Sequence, residues 1–168
     1  MYKRQEEARA LAEEPIRISG ESRYKGASLD RLIGLTAGSP FYLQIFCDRL
    51  VQHLNRNRLA FITESVVGDV LATLTMGPSA LTMDKFDPLI TAGGESVALV
   101  PREKYLELLT RVALTRSVTS REVGQEDAPL VRDLLAREVL EQDASGQLRI
   151  RVQLFAEWLR ANNVGNVP

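Results

Sequence analysis

One cysteine and one histidine occur among 168 residues, and those two scarcities remove whole classes of chemistry. A single thiol, Cys47, excludes an internal disulfide framework and suits a reducing cytoplasm. His53 follows it by six residues, roughly 600° of helix or an offset of about 240°, so the two side chains point apart. That spacing argues against a metal site or Cys–His catalysis. Cys47 reads as a small buried hydrophobe and His53 as a helix-edge residue. Net charge is lacking too: 21 basic side chains face 22 acidic ones, for a net of −1. Divided at residue 76, the chain has ten basic and nine acidic side chains before the cut and eleven and thirteen after it. No global field therefore draws it to nucleic acid or anionic lipid. No apolar run approaches the ~20 residues that span a bilayer, so no membrane partner is expected. The opening MYKRQEEARA is charged throughout, unlike a signal peptide, and cytoplasmic location is the expectation. It also begins directly inside a helical pattern, which suggests that a partner segment lies upstream.

A phosphate-cradling loop is missing as well. GxxxxGK[ST] surrounds phosphates with consecutive backbone amides and one lysine. The nearest stretch, Gly20 to Gly26, has its lysine before the second glycine and lacks the Ser/Thr. Ala92-Gly93-Gly94-Glu95 is too short to serve. No apolar strand ends in paired acids suited to Mg²⁺, and Glu6-Glu7 and Glu13-Glu14 sit on solvated helix faces without the burial that tunes a general acid. The chain is not expected to be an enzyme or to hold a metal or other cofactor alone.

What remains is helical, with 45% apolar and 26% charged residues, as in an ordinary globular protein of one domain or two small ones. Ala8, Leu11 and Ala12 share a helix face in residues 5–15, and Pro15 blocks continuation. The stretch 16–26 is turn-rich. Leu29, Leu32, Ile33 and Thr36 line a short helix that ends at Gly38. Pro40 opens the strongest helix, with Leu43, Phe46, Cys47, Leu50 and Leu54 as its apolar stripe. Thr63 can cap a fourth, whose inner face is Val66, Val67, Val70, Leu71 and Leu74. Residues 77–100 concentrate Gly, Pro and Ser and read as a linker with a small packing element at Phe86 and Leu89.

Beyond it, Pro101 opens a helix with Tyr105, Leu108, Leu109 and Val112 inward. Thr119 and Glu122 have capping-box spacing, which predicts a very short helix after them. Pro129 opens the next, with Val131, Leu134 and Leu135 inward. Leu148, Ile150 and Val152 alternate with Arg149 and Arg151 behind a Ser-Gly turn, so residues 139–152 read as a hairpin. The last helix carries Leu154, Phe155, Trp158 and Leu159 on one side.

The first half, with EEARALAEEP, LDRLIGLTAGSPFYLQIFCDRLVQHLN and FITESVVGDVL, resembles the helical lid subdomain of AAA+ and STAND-type ATPases. The second, by its order of helices and ribbon, resembles the winged-helix domain that follows that lid. The resemblance implies a mainly α (α+β) chain. Its parts are a four-helix lid over 1–76, a linker over 77–100, a winged helix with a two-stranded hairpin over 101–163, and a tail over 164–168. In that family the Gly-x-Pro turn lies against the adenine and ribose of bound ATP or ADP, which implies Gly38, Ser39 and Pro40 as the adenine-side contacts. A proline ring offers a flat apolar surface, and glycine lets backbone approach closely. The same three residues also serve as an ordinary corner between two helices. The arginine that some such lids carry just after the turn is absent, since Ser39, Pro40 and Phe41 stand there. On this resemblance the nucleotide with its Mg²⁺ belongs to an N-terminal P-loop core. Other protomers or signalling proteins are further partners, and the module regulates through a nucleotide-driven conformational change.

A stand-alone winged-helix DNA-binding regulator is the alternative, because such domains place a helix in the major groove and the ribbon on backbone. Arg132 on the helix, Arg149 and Arg151 on the ribbon, and Arg121 are its candidate contacts. Glu126 and Asp127, at the helix end that would meet the bases, oppose phosphate.

Overall fold

The computed structural model describes residues 2–91, 100–115, 118–119 and 122–162. Among them lie eight α-helices and one two-stranded antiparallel sheet, in two compact units, residues 1–80 and 81–168.

The first unit is built from α1 (Tyr2–Glu13), α2 (Ser28–Thr36), α3 (Pro40–Asn57) and α4 (Glu64–Thr75). Helix α1 packs on α2 and α3, α2 also on α3 and α4, and α3 on α4. The interior is mostly aliphatic: Leu32, Leu43, Phe46, Leu50, Leu54, Val67, Val70 and Leu74 are all buried. Pro15 falls in a single 3-10 turn, Glu14–Ile16, that ends α1. Thr63 caps α4, its hydroxyl accepting from the Val66 amide at 3.4 Å. Leu11 departs from the expected inner face. It is 49% exposed, while Ala8 and Ala12 are buried. Their small side chains let α1 lie close to its neighbours, and Leu11 falls on the outer edge of that face. The polar stretch after α1 carries a buried residue too. Tyr24 bridges to Ile62 in parallel, with Ile62 N–H to Arg23 O at 2.9 Å and Lys25 N–H to Ile62 O at 2.9 Å. Arg23 adds bonds to the Ala60 and Leu59 carbonyls, at 2.8 and 3.0 Å, so this crossing of loops is fixed from both sides.

The second unit opens on a 3-10 turn, Met83–Phe86, running into the short helix α5 (Asp87–Ile90). Within the stretch read as linker, residues 81–90 are thus part of a core: Phe86 and Ile90 are buried, and Leu89 only half so. Phe86 stacks on Phe155 with centroids 4.7 Å apart and lies 5.5 Å from Trp158, whose indole donates to Leu81 O at 2.6 Å. The rest of that stretch, 92–99, and the tail 164–168 lie outside the described residues. Helix α6 (Arg102–Thr115) buries Tyr105, Leu108, Leu109 and Val112 and packs against α8 (Gln153–Asn162), which buries Leu154, Phe155, Trp158 and Leu159. Helix α7 (Ala128–Ala136) buries Leu130, Val131 and Leu134, with Leu135 half-buried.

Strands β1 (Leu140–Gln142) and β2 (Leu148–Ile150) pair with Leu140 opposite Ile150. The alternation puts Leu148 and Ile150 inward and Arg149 outward. Asp143 holds the turn: its carboxylate accepts from Ser145 N–H at 2.9 Å, Ser145 Oγ at 2.6 Å and Gln147 N–H at 3.1 Å. Residues 120 and 121, where the helix expected after Thr119 would begin, lie outside the described residues, and over 122–127 no helix is described, with turns at 122 and 125–127. The capping bonds do form, with Glu122 Oε2 accepting from Thr119 N–H at 2.8 Å and Thr119 Oγ1 at 2.9 Å. Thr119 itself bridges to Gln147 beside the hairpin, and Leu148 N–H donates to Val118 O at 2.8 Å. A capping box by itself cannot supply the following hydrogen bonds that propagate a helix.

Candidate functional site

The Gly38–Pro40 turn is formed by two successive left-handed residues. Ala37 has φ 52° and Gly38 φ 66°. Their amides return to α2, Ala37 to Gly34 O at 3.4 Å and Gly38 to Ile33 O at 3.1 Å, which satisfies carbonyls that a helix end leaves open. Ser39 N–H then donates to Thr36 O at 3.0 Å, and Ser39 O accepts the first bond of α3, from Leu43 N–H at 2.9 Å. The Ser39 side chain does not cap α3. A Cβ on Gly38 would stand 3.4 Å from Ala8 Cβ, so the glycine meets two demands at once, a left-handed φ and a close approach of α1.

The turn's outer side is apolar and accessible. Pro40 is exposed, and Phe41, 48% exposed, meets Tyr42 edge-on at 5.1 Å. Tyr42 itself is 3% exposed, and burial pushes its phenol well above the usual range. A flat apolar group laid on Pro40 and Phe41 would meet ring and ring edge, and neither residue offers it a side-chain charge.

Of the four arginines considered for nucleic acid, Arg121 lies outside the described residues. Arg132 is exposed on α7. Arg149 faces Asp143 at 3.4 Å, and Arg151 pairs with Glu138 at 2.6 Å. Alternation predicted that these two project outward, but it carries no information about which carboxylates the neighbouring turns bring beside them.

Cys47 is half-buried, with the Tyr24 hydroxyl 3.9 Å from its sulfur. Burial pushes its thiol up, away from the reactive thiolate. Among the described residues no group of three His, Cys, Asp or Glu side chains is placed to hold a metal ion, and no helix is long and apolar enough to cross a membrane.

Two concave places went unseen in the sequence. A groove of about 310 Å³ in the second unit runs between α6, β2 and α8 over Val112, Leu148 and Ile150. Arg160 at its edge is already occupied by Ala113 O at 2.8 Å and Glu157 at 2.6 Å. A notch of about 70 Å³ in the first unit lies between α3 and the end of α4. The i, i+3, i+4, i+7 spacing of Arg49, Gln52, His53 and Arg56 was the signal for it, although only folding brings Thr73 and Ser79 opposite. Compared with protein-family models, curated proteins and solved structures, the chain matches none of them.

Proposed function

We propose that the chain is a regulatory module of a STAND- or AAA+-like ATPase. Residues 1–76 are its lid, and the Gly38–Pro40 turn covers the adenine side of ATP or ADP bound to a P-loop core outside this sequence. The observation that carries the reading is the construction of that turn. Two left-handed residues and three backbone bonds hold it rigidly, yet Pro40 and Phe41 are turned outward. A rigid, accessible apolar corner suits a planar base, because little conformational freedom is lost when the base docks. With Ser39, Pro40 and Phe41 at the turn and no basic side chain among them, the contact favours the base side and leaves the phosphates to the core.

The second unit acts in this reading as a winged-helix switch element that repacks between nucleotide states. Its helix–turn–helix–hairpin–helix order supports that part, together with the bridge from Thr119 to Gln147 beside the hairpin. DNA binding finds less support. Arg149 and Arg151 are engaged by carboxylates, and phosphate would have to displace those partners.

The test is an ADP titration of the polypeptide that contains both this chain and its P-loop core, with and without Pro40→Ala. Loss of the ring surface is expected to weaken ADP several-fold while leaving the fold intact by circular dichroism. Unchanged ADP affinity, or the lack of any GxxxxGK[ST] core in the native polypeptide, overturns the reading.

A further inference from the structure

Helix α3 presents Arg49, Gln52, His53 and Arg56 within about 100° of arc. They line the notch of about 70 Å³ with Thr73 of α4 and Ser79 of the following loop. One water needs roughly 15 Å³ of such space, so the notch has room for several waters or for one tetrahedral oxyanion.

Most arginines of the described surface are paired, whereas two that lack a carboxylate meet in this notch. Among the described residues, eight arginines have a carboxylate partner: Arg9, Arg17, Arg102, Arg111, Arg137, Arg149, Arg151 and Arg160. Arg23 and Arg31 donate to backbone carbonyls. Arg49 has only the Ser79 carbonyl, at 3.4 Å, and Arg56, like Arg58 and Arg132 elsewhere, has no side-chain partner among the described residues. The position of Arg56 in the last turn of α3, where the helix dipole favours a cation, accounts for one charge there. It does not account for a second arginine and the chain's one histidine converging on the same hollow with no carboxylate in the lining. The Thr73 hydroxyl is bound to Val70 O at 2.8 Å and shapes the wall, while the Ser79 hydroxyl and the Gln52 amide are the neutral donors at hand.

We propose that this notch is a binding site for a phosphate-class oxyanion, either inorganic phosphate or the phosphate of a small monoester. Two guanidinium groups provide charge-assisted hydrogen bonds, and Ser79 and Gln52 complete the donor set. Arg49 and Arg56 lie roughly 14 and 24 Å along α3 from Pro40, so this ligand is not the nucleotide of the preceding section. Either proposal can fail without the other. The notch opens to solvent, and salt competes with the ligand, so millimolar affinity at low ionic strength is expected.

His53 gives a direct readout, because its imidazole is the only one in the chain. Inorganic phosphate is titrated at constant pH while the His53 imidazole signals are followed by NMR, with sodium chloride at matched ionic strength as the comparison. A saturable shift with phosphate that chloride does not reproduce is expected, weakened at least tenfold in the double variant Arg49→Gln/Arg56→Gln. Ser79→Ala keeps every charge and is expected to weaken binding a few-fold. A linear, unsaturated response, an equal effect of chloride, or a double variant that binds like the parent overturns the assignment. The amide spectrum of each variant shows whether it is folded. A parallel titration with O-phosphoserine identifies the source: saturation by either ligand supports the site, and the tighter one names the form it takes.

Discussion

In residues 81–168, Arg102, Arg111, Arg137, Arg149, Arg151 and Arg160 each lie against a carboxylate. In residues 1–80 only Arg9 and Arg17 do so among the described residues. There Arg31 reaches across to Glu64 O at 2.7 Å, its guanidinium 3.5 Å from where a Cβ on Gly68 would stand, and Arg23 clamps the loop before α4. The cores differ as well. The first is aliphatic helix packing, and the second turns on the aromatic cluster of Phe86, Phe155 and Trp158. In the second unit every described arginine but Arg132 is neutralised locally, and such pairs contribute little to stability when exposed. In the first, apart from Arg9 and Arg17, the described arginines close backbone carbonyls or have no carboxylate partner. The unit with the more settled surface is therefore a poor place to look for an anion site, although it has the larger groove.

The sharpest way to break this comparison is through the aromatic cluster. Phe155→Ala removes the ring stacked on Phe86 and is expected to cost about 3–5 kcal/mol. Amide hydrogen exchange should show protection falling across α6, α7 and α8 while α3 and α4 keep theirs. An equal fall in α3 and α4 would mean that the two units do not hold separate cores.

A smaller effect is expected at the turn. Gly38→Ala forces a side chain into φ 66° with Ala8 Cβ at 3.4 Å, whereas Gly77→Ala meets φ 86° with nothing within 4 Å. Left-handed strain alone costs roughly 1–2 kcal/mol. Urea unfolding should place Gly38→Ala below Gly77→Ala, and the difference measures how closely α1 must approach. Equal midpoints would make the contact with α1 irrelevant to the turn.

The smallest effect lies in the hairpin. Bonds from Ser145 and Gln147 hold the Asp143 carboxyl below its ordinary value of 3.8. A lowered folded-state pKa means that this carboxylate stabilises the turn above pH 3.8 and ceases to as pH falls through the lower value. The Ser145 and Gln147 amide shifts should titrate together with an inflection below pH 3.8. An inflection at or above it would remove the turn's electrostatic support and leave the hairpin to Leu148 and Ile150 alone.

The helices that were easiest to read owe their legibility to residues with one job. Pro40 starts α3, Thr63 caps α4, and the 3.6-residue stripe of Leu43, Phe46, Leu50 and Leu54 is the stripe that is buried. The corner at Gly38 was legible for the same reason, since few residues accept φ 66°. Harder to read were residues whose role depends on a distant neighbour. Tyr24 stands in a polar stretch and is buried because Ile62 comes beside it. Phe86 stands among Gly, Pro and Ser in what reads as a linker, and is buried because Phe155 covers it. Thr119 and Glu122 form their capping bonds, while Thr119 also bridges to Gln147, a partner 28 positions away that the local sequence does not reveal.

By itself, then, this sequence determined its local alphabet: which segments coil, where they stop, which strand positions face inward, and that no phosphate loop or disulfide framework is encoded. Those properties follow from backbone sterics, hydrogen-bonding capacity and residue type, which act over a few positions. Only the tertiary structure decided which charges are neutralised and which are left open. Arg149 and Arg151 met carboxylates across the hairpin and its flanking turn, while Arg49 and Arg56 met a hollow. Charge interactions act through space and are screened over about 10 Å at 0.1 M ionic strength, so their outcome depends on how the chain is folded back on itself.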